Sequence, residues 1–253
     1  MVNGVRVNLD DFPQAKLVGA SATPDHLVEQ DRVRWRTALL LSAAFALSLW
    51  LVKLLEAFTG TSLVHLGVNP REWSGLAGIL FAPFVHGSWG HLVANTTPVL
   101  VLGTALLYGY PRAARIVVPV LFLLVGLGVW LFGRPSYHVG ASGLTFGAMS
   151  FVFTIGVLRR DRRAMALAMI VFFMYGGMVW GVLPGDPQIS FESHLAGAVS
   201  GGLLAIALRD ADPRPPEKRY SWEVEGESFE DLDWVERVED ASRPGSGTRL
   251  PRP

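Results

Sequence analysis

A serine set in Gly140-Ala141-Ser142-Gly143 opens the apolar run 142–158. A hydroxyl there becomes a nucleophile when a base takes its proton, and histidine is the side chain suited to that task near neutral pH. The chain offers His194 at the start of a second apolar run, and His86, His91 and Asn95 around the start of a third. His91 and Asn95 are four apart, so on a helix they share one face and reach a single point. Backbone N–H groups at a helix start are unpaired and add donors aimed the same way. The set supplies what acyl transfer needs: an oxygen nucleophile, an imidazole base, and donors for a developing oxyanion. Other chemistries are poorly provided. There is no cysteine, which excludes disulfides and thiolate metal sites, and no aspartate inside the apolar runs. His86 and His91 are five apart without the glutamate of a His-Glu-x-x-His zinc motif. Leu144 stands where the hydrolase elbow Gly-x-Ser-x-Gly requires glycine. No cofactor and no metal are expected.

The elements that position these groups are membrane helices. Half of the 253 residues are hydrophobic and only 17% are charged, with mean hydropathy +0.34. That balance indicates a polytopic membrane protein. A spanning helix needs about 20 apolar residues, with a range of roughly 17–25. Six runs qualify or come close: 37–58, 91–108, 113–132, 142–158, 164–183 and 191–208. Lys53 and Glu56 interrupt the first near its far end, where snorkelling is expected. The fourth is the shortest of the well-separated runs, and the loop 133–140 is expected to dip inward to meet it. Segment 73–84 is too short to span and reads as one or two short interfacial helices.

Arginines set the orientation. Arg32, Arg34 and Arg36 precede the first run, Arg112 and Arg115 lie between the second and third, Arg159, Arg160, Arg162 and Arg163 between the fourth and fifth, and Arg209 after the sixth. Only Arg71 and Arg134 fall on the other side. Six spans with both termini cytoplasmic satisfy this pattern. The second, fourth and sixth helices then all start at the outer surface, which brings His86, His91, Asn95, Ser142 and His194 to one depth. Polar groups inside spans mark a functional site by default. Alone, Ser142 reads as a helix cap or an interhelical hydrogen bonder; with His194 at matching depth it reads as a nucleophile. Gly143 and Gly147 on the fourth run, and Gly197 and Gly201 on the sixth, allow those helices to pack closely enough for the two to meet. His138 is expected to face solvent from its loop.

Gly140-Ala141-Ser142-Gly143, His86 with His91-Leu92-Val93-Ala94-Asn95, and His194-Leu195-Ala196-Gly197 with Gly201 resemble the three signatures of rhomboid intramembrane serine proteases. They fall in that family's order on the second, fourth and sixth spans, and the resemblance covers residues 35–209. It implies Ser142 as nucleophile and His194 as base, without an acidic third member. It implies Asn95, His91 and the Ser142 backbone N–H as oxyanion hole, Gly140 as the motif's first glycine, and His86 as a support for the first loop. Two departures stand out. The family often has Trp-Arg in the first outer loop, where this chain has Trp73-Ser74, and it commonly has tyrosine where Phe146 stands. Phe146 can stack on the imidazole but offers no hydroxyl.

The expected organisation is a polar cytoplasmic segment over residues 1–35, an all-α six-helix membrane domain over 36–209, and an acidic, proline-rich, disordered cytoplasmic tail over 210–253. A short helix bearing Phe229, Leu232, Val235 and Val238 is the alternative for part of the tail. No removable signal peptide and no inverted repeat is evident. The leading functional reading is an endopeptidase acting near the outer end of single-span membrane proteins, embedded in the lipids of a bacterial plasma membrane. Nucleic acid is not an expected partner, since net charge is zero. The alternative is a catalytically silent relative that binds transmembrane helices. A channel or transporter would spread polar groups through the membrane depth.

Overall fold

Backbone amides in hydrocarbon must be paired within their own segment, so apolar runs of this length form helices. The computed structural model describes residues 25–213, and these contain seven α-helices: α1 (Asp25–Thr59), α2 (Gly78–Phe81), α3 (Trp89–Gly109), α4 (Pro111–Phe132), α5 (Ser142–Arg159), α6 (Arg162–Tyr175) and α7 (Phe191–Ala207). Short 3-10 turns flank α2 at Trp73–Leu76 and Ala82–Phe84, and another extends α6 over Gly176–Val182. One isolated antiparallel bridge pairs Val68 with His138. The tail helix considered above and residues 1–24 lie outside the described residues.

Among the described residues, five stretches are long and apolar enough to cross a membrane: His26–Thr59, Trp89–Gly109, Pro111–Phe132, Ser142–Arg159 and Arg162–Val182. The sixth run is shorter than the others, with 17 residues in helix, or about 26 Å of rise. It packs against α4 and α5 on one side and leaves Leu195, Val199, Leu203 and Ile206 exposed on the other. The fifth run is not one regular helix: α6 stops at Tyr175 and the chain continues as a 3-10 segment, Gly176–Val182, that contains Gly181. α1 begins at Asp25, so the helix reaches back into the polar segment expected over residues 1–35.

Local chemistry sets the helix ends. Ser88 Oγ accepts the His91 N–H at 3.1 Å to cap α3, and Asp161 accepts the Ala164 N–H at 2.9 Å to cap α6. Arg160, at φ 55°, turns the chain between α5 and α6. The main core lies around α5, where Phe151, Val152 and Ile155 are fully covered by Leu102, Val117, Leu121, Val171 and Ala205. Outward positions such as Leu40, Leu47 and Phe173 are exposed hydrophobics, the surface expected of lipid-facing helices.

Hydrogen bonds knit the two ends of the bundle differently. At one end Arg159 is buried rather than solvated. Its Nε donates to Asp161 at 2.9 Å, and its Nη1 to the Asp212 carbonyl at 2.9 Å. The Asp212 carboxylate in turn accepts the Arg112 and Ala113 N–H groups at 2.9 and 3.0 Å. It thus caps α4, whose own N-cap Tyr110 gives no side-chain cap, although composition had assigned Asp212 to the tail. At the other end Lys53 and Glu56 do not snorkel. Lys53 Nζ reaches Glu56 at 3.0 Å and donates to the His86 carbonyl at 2.8 Å, while Glu56 accepts the Leu63 N–H at 2.6 Å. Both charges turn inward because the connection 60–88 folds over them with unpaired backbone groups to satisfy.

Candidate active site

The loop before α5 delivers Ser142 to the helix start. Gly140 has φ +108°, a conformation side chains rarely adopt, and a Cβ there would meet the His91 ring at 2.6–2.7 Å. Its N–H donates to the Ala82 carbonyl at 2.8 Å, which fixes the loop against the 82–84 turn. Ala141, not a hydroxyl residue, is the N-cap of α5, so Ser142 Oγ does no capping. It lies 2.8 Å from Nε2 of His194, 52 residues along the chain.

His194 is held on its other sides. Nδ1 lies 2.9 Å from the Gly181 carbonyl. A carbonyl only accepts, so Nδ1 carries the proton and Nε2 offers its lone pair to the Ser142 O–H. The Phe146 ring stacks on the imidazole, with centroids 4.0 Å apart and planes 8° from parallel. Ser190 Oγ caps the helix that carries it, accepting the Ser193 N–H at 3.2 Å.

The approach of α5 and α7 depends on missing side chains. A Cβ on Gly197 would land on the Gly143 carbonyl oxygen and 3.1 Å from Gly147 N; one on Gly201 would land on the Gly147 carbonyl oxygen. These backbones are in direct contact, as small residues permit between membrane helices.

The structure brings the donor candidates to this end as well. His91 packs its ring on Gly140 and meets the His86 ring edge-on, with centroids 5.0 Å apart. Asn95, 4% exposed, uses one amide N–H on the His91 carbonyl at 2.9 Å and keeps the other. Leu144 and Thr145 N–H both bond the Ala141 carbonyl, and the Ser142 N–H has no acceptor among the described residues. His86 is fully buried, and burial, followed by the neighbouring His91 and helped by Lys53, pushes its pKa down to about 4. The ring is held neutral, edge-on to His91, while the His86 backbone carbonyl accepts from Lys53 Nζ. Among the described residues no group of three His, Cys, Asp or Glu is placed to hold a metal.

His138 differs from the sequence expectation. It is buried, with Nε2 3.0 Å from the Arg134 carbonyl and Nδ1 2.7 Å from Ser190 Oγ. By the same carbonyl argument Nε2 is the donor and Nδ1 accepts the Ser190 O–H. Arg134 Nη2 adds a 2.6 Å bond to the Ile189 carbonyl, and its backbone N–H donates to Glu192 at 3.3 Å. The loop before Ser142 is thereby clamped to the start of the helix bearing His194. The first loop, which lacks the Trp-Arg pair, is braced by Arg71 Nη1 on the Gly133 carbonyl at 2.9 Å, Trp130 Nε1 on the Glu72 carbonyl at 2.9 Å, and the Val68–His138 bridge. Sequence reasoning missed Gly181, His138, Ser190 and the Lys53–Glu56 pair. The glycines at 176, 177 and 181 were the one available sign that the fifth run breaks.

The rhomboid domain family matches residues 72–211. Proteins of Mycobacterium tuberculosis and Mycobacterium bovis, both described as uncharacterized, are 37% identical over 187 residues, covering 70% of this chain and 78% of theirs. One from Mycobacterium leprae, likewise uncharacterized, is 36% identical over 187 residues, covering 70% of this chain and 74% of its own.

Proposed function

The chain belongs to the rhomboid family, and on that premise we propose that it is an intramembrane serine endopeptidase working through a Ser142–His194 dyad. The observation that carries this is the 2.8 Å contact between Ser142 Oγ and His194 Nε2, with the tautomer fixed by the Gly181 carbonyl. Ser142 Oγ attacks the scissile carbonyl as its proton passes to Nε2. The C–N bond then breaks and the same proton goes to the leaving amine, leaving an acyl ester on Ser142. A water, deprotonated by the now neutral His194, hydrolyses the ester and returns Oγ–H. The Ser142 N–H, the free Asn95 amide N–H and the His91 ring are the donors for the oxyanion, a role worth about 2.7–4 kcal/mol for one donor in other serine hydrolases.

The substrates in this reading are single-span membrane proteins, cut near the outer end of the span where the helix unwinds. The arginine distribution supports an outward-facing site with both termini cytoplasmic, in a plasma membrane. His194 is only 8% exposed, so substrate entry requires an opening. Residues 183–189 are exposed throughout and adjoin the 3-10 segment that supplies the Gly181 carbonyl, and in this reading they are the part that opens. The test is reconstitution with a single-span substrate, with Ser142 labelling by a fluorophosphonate read in parallel. Both cleavage and labelling are expected to vanish in Ser142→Ala, and cleavage in His194→Ala. Unchanged cleavage by either folded variant removes the dyad; a wild-type protein that binds substrate but neither cleaves nor labels is a silent binder.

A further inference from the structure

α1 packs on α3 and on the 82–84 turn, but it does not close against α4. Between α1 and α4, with α3 and α5 behind, lies a cleft of about 680 Å³, within the range of about 300–1,000 Å³ typical of ligand sites. Its walls are apolar side chains such as Leu41 and Val118. Among the described residues two charged side chains line it, Arg34 and Arg115, and no acid does. Both sit at one end, since Arg34 reaches the Gly109 carbonyl at the close of α3 and Arg115 is in the first turns of α4. Among the described residues neither guanidinium has a carboxylate partner. Arg34 has only that 3.4 Å carbonyl contact and the Tyr108 ring 5.5 Å away. The acid one turn earlier, Asp31, is engaged by the Tyr108 hydroxyl at 3.1 Å.

We propose that this cleft binds an anionic phospholipid, one acyl chain lying between α1 and α4 and the phosphate resting between Arg34 and Arg115. Length favours this occupant. From Arg34 to Phe45 the cleft follows α1 for 11 residue steps, about 16 Å of helix rise, close to half of a hydrocarbon core of about 30 Å. That is the depth of one leaflet. Charge favours it too: two guanidinium groups match a phosphodiester, and among the described residues no acid lines the cleft beside them. A peptide awaiting cleavage is a poor fit. The rings of Phe45, Phe84 and Phe122, in contact at 5.4–6.2 Å, close the far end before the level of Ser142. The chain end instead packs beneath Leu144 and Thr145, and Thr145 Oγ1 donates to the Ser142 carbonyl at 2.8 Å. The lipid therefore supports the turn that carries Ser142 without touching it.

The experiment reads binding, independently of proteolysis. The full chain is reconstituted in nanodiscs of equal dioleoylphosphatidylglycerol and dioleoylphosphatidylcholine, extracted, and its retained lipids are counted by native mass spectrometry. Phosphatidylglycerol is expected to be retained over phosphatidylcholine, by about 5-fold for each arginine and roughly 30-fold for the pair. The Arg34→Gln/Arg115→Gln variant is expected to lose that preference. The pair Arg36→Gln/Arg112→Gln, on the same end but outside the cleft lining, keeps it. Val118→Trp, which fills the cleft from its lipid side, loses the retained lipid while melting like the wild type. Equal retention of both lipids by the wild type, an equal loss in the control pair, or undiminished retention in Val118→Trp would overturn the proposal.

Discussion

Replacing Gly197 by alanine tests whether backbone contact sets the reaction geometry. The added methyl would fall on the Gly143 carbonyl oxygen, and the Gly143 carbonyl carbon and Gly147 nitrogen would stand only 3.0 and 3.1 Å away. Carbon contacts are comfortable at about 3.5–4.0 Å, so α7 must retreat from α5 by about 1 Å at that level. Gly197 lies one turn from His194 on α7 and Gly143 adjoins Ser142 on α5, so most of the retreat reaches the dyad. The 2.8 Å Oγ–Nε2 contact would open to about 3.8 Å, beyond hydrogen-bond range. A misplacement of 1 Å costs about 100-fold in rate, and the overpacking lowers stability by about 1–3 kcal/mol. Initial cleavage rates in proteoliposomes, normalised to folded protein, are the measurement. Gly202→Ala is the control, because its methyl would meet Ser150 Oγ at an ordinary 3.5 Å; it should stay within about twofold of wild type. A folded Gly197→Ala protein that cleaves within the same twofold would refute the idea that the glycine seam sets the dyad.

Three further outcomes are expected. His138→Phe should lower stability by about 1–3 kcal/mol in thermal denaturation, because the buried Ser190 hydroxyl and Arg134 carbonyl lose their partner; a solvent-facing histidine would cost under about 0.5 kcal/mol. Asp212→Ala should cost about 1–2 kcal/mol by removing both acceptors from the start of α4, a loss absent if residue 212 belonged to an unattached tail. His86 gives a pH signature. Its folded pKa is lowered from 6.5 to about 4, so the unfolded chain takes up a proton first as pH falls. Its stabilisation is complete above pH 6.5, declines toward pH 4 and is flat below, by about 3 kcal/mol in all. The thermal midpoint of His86→Phe should vary less over that interval, and an unchanged slope would exclude the assignment.

Much of this arrangement was legible in residue types. Apolar runs located the helices, because hydrocarbon leaves the backbone few alternatives, and the paired glycines on the fourth and sixth runs foretold the contact that brings Ser142 to His194. What remained hidden was set by backbone atoms or loop folding. The partner of His194 Nδ1 is a peptide carbonyl, and a carbonyl leaves no mark on residue identity. His138 sits in a polar loop by composition, yet the bridge to Val68 draws that loop into the interior. Lys53 and Glu56 look like helix-end charges until a folded connection presents amide and carbonyl groups to them. Asp212 follows an apolar run and precedes prolines, and only the packed bundle shows that its carboxylate faces the opening of α4.

The peptide oxygen of residue 181 has a chemical corollary. It can orient an imidazole, but unlike a carboxylate it brings no full negative charge to balance an imidazolium. In the proposed reaction the cation on His194 would be neutralised chiefly by the anion born beside it on the substrate. Both would appear and disappear within one proton's excursion, so neither could accumulate. In that reaction the aim of the base depends on a short stretch of backbone, whose displacement would switch it off.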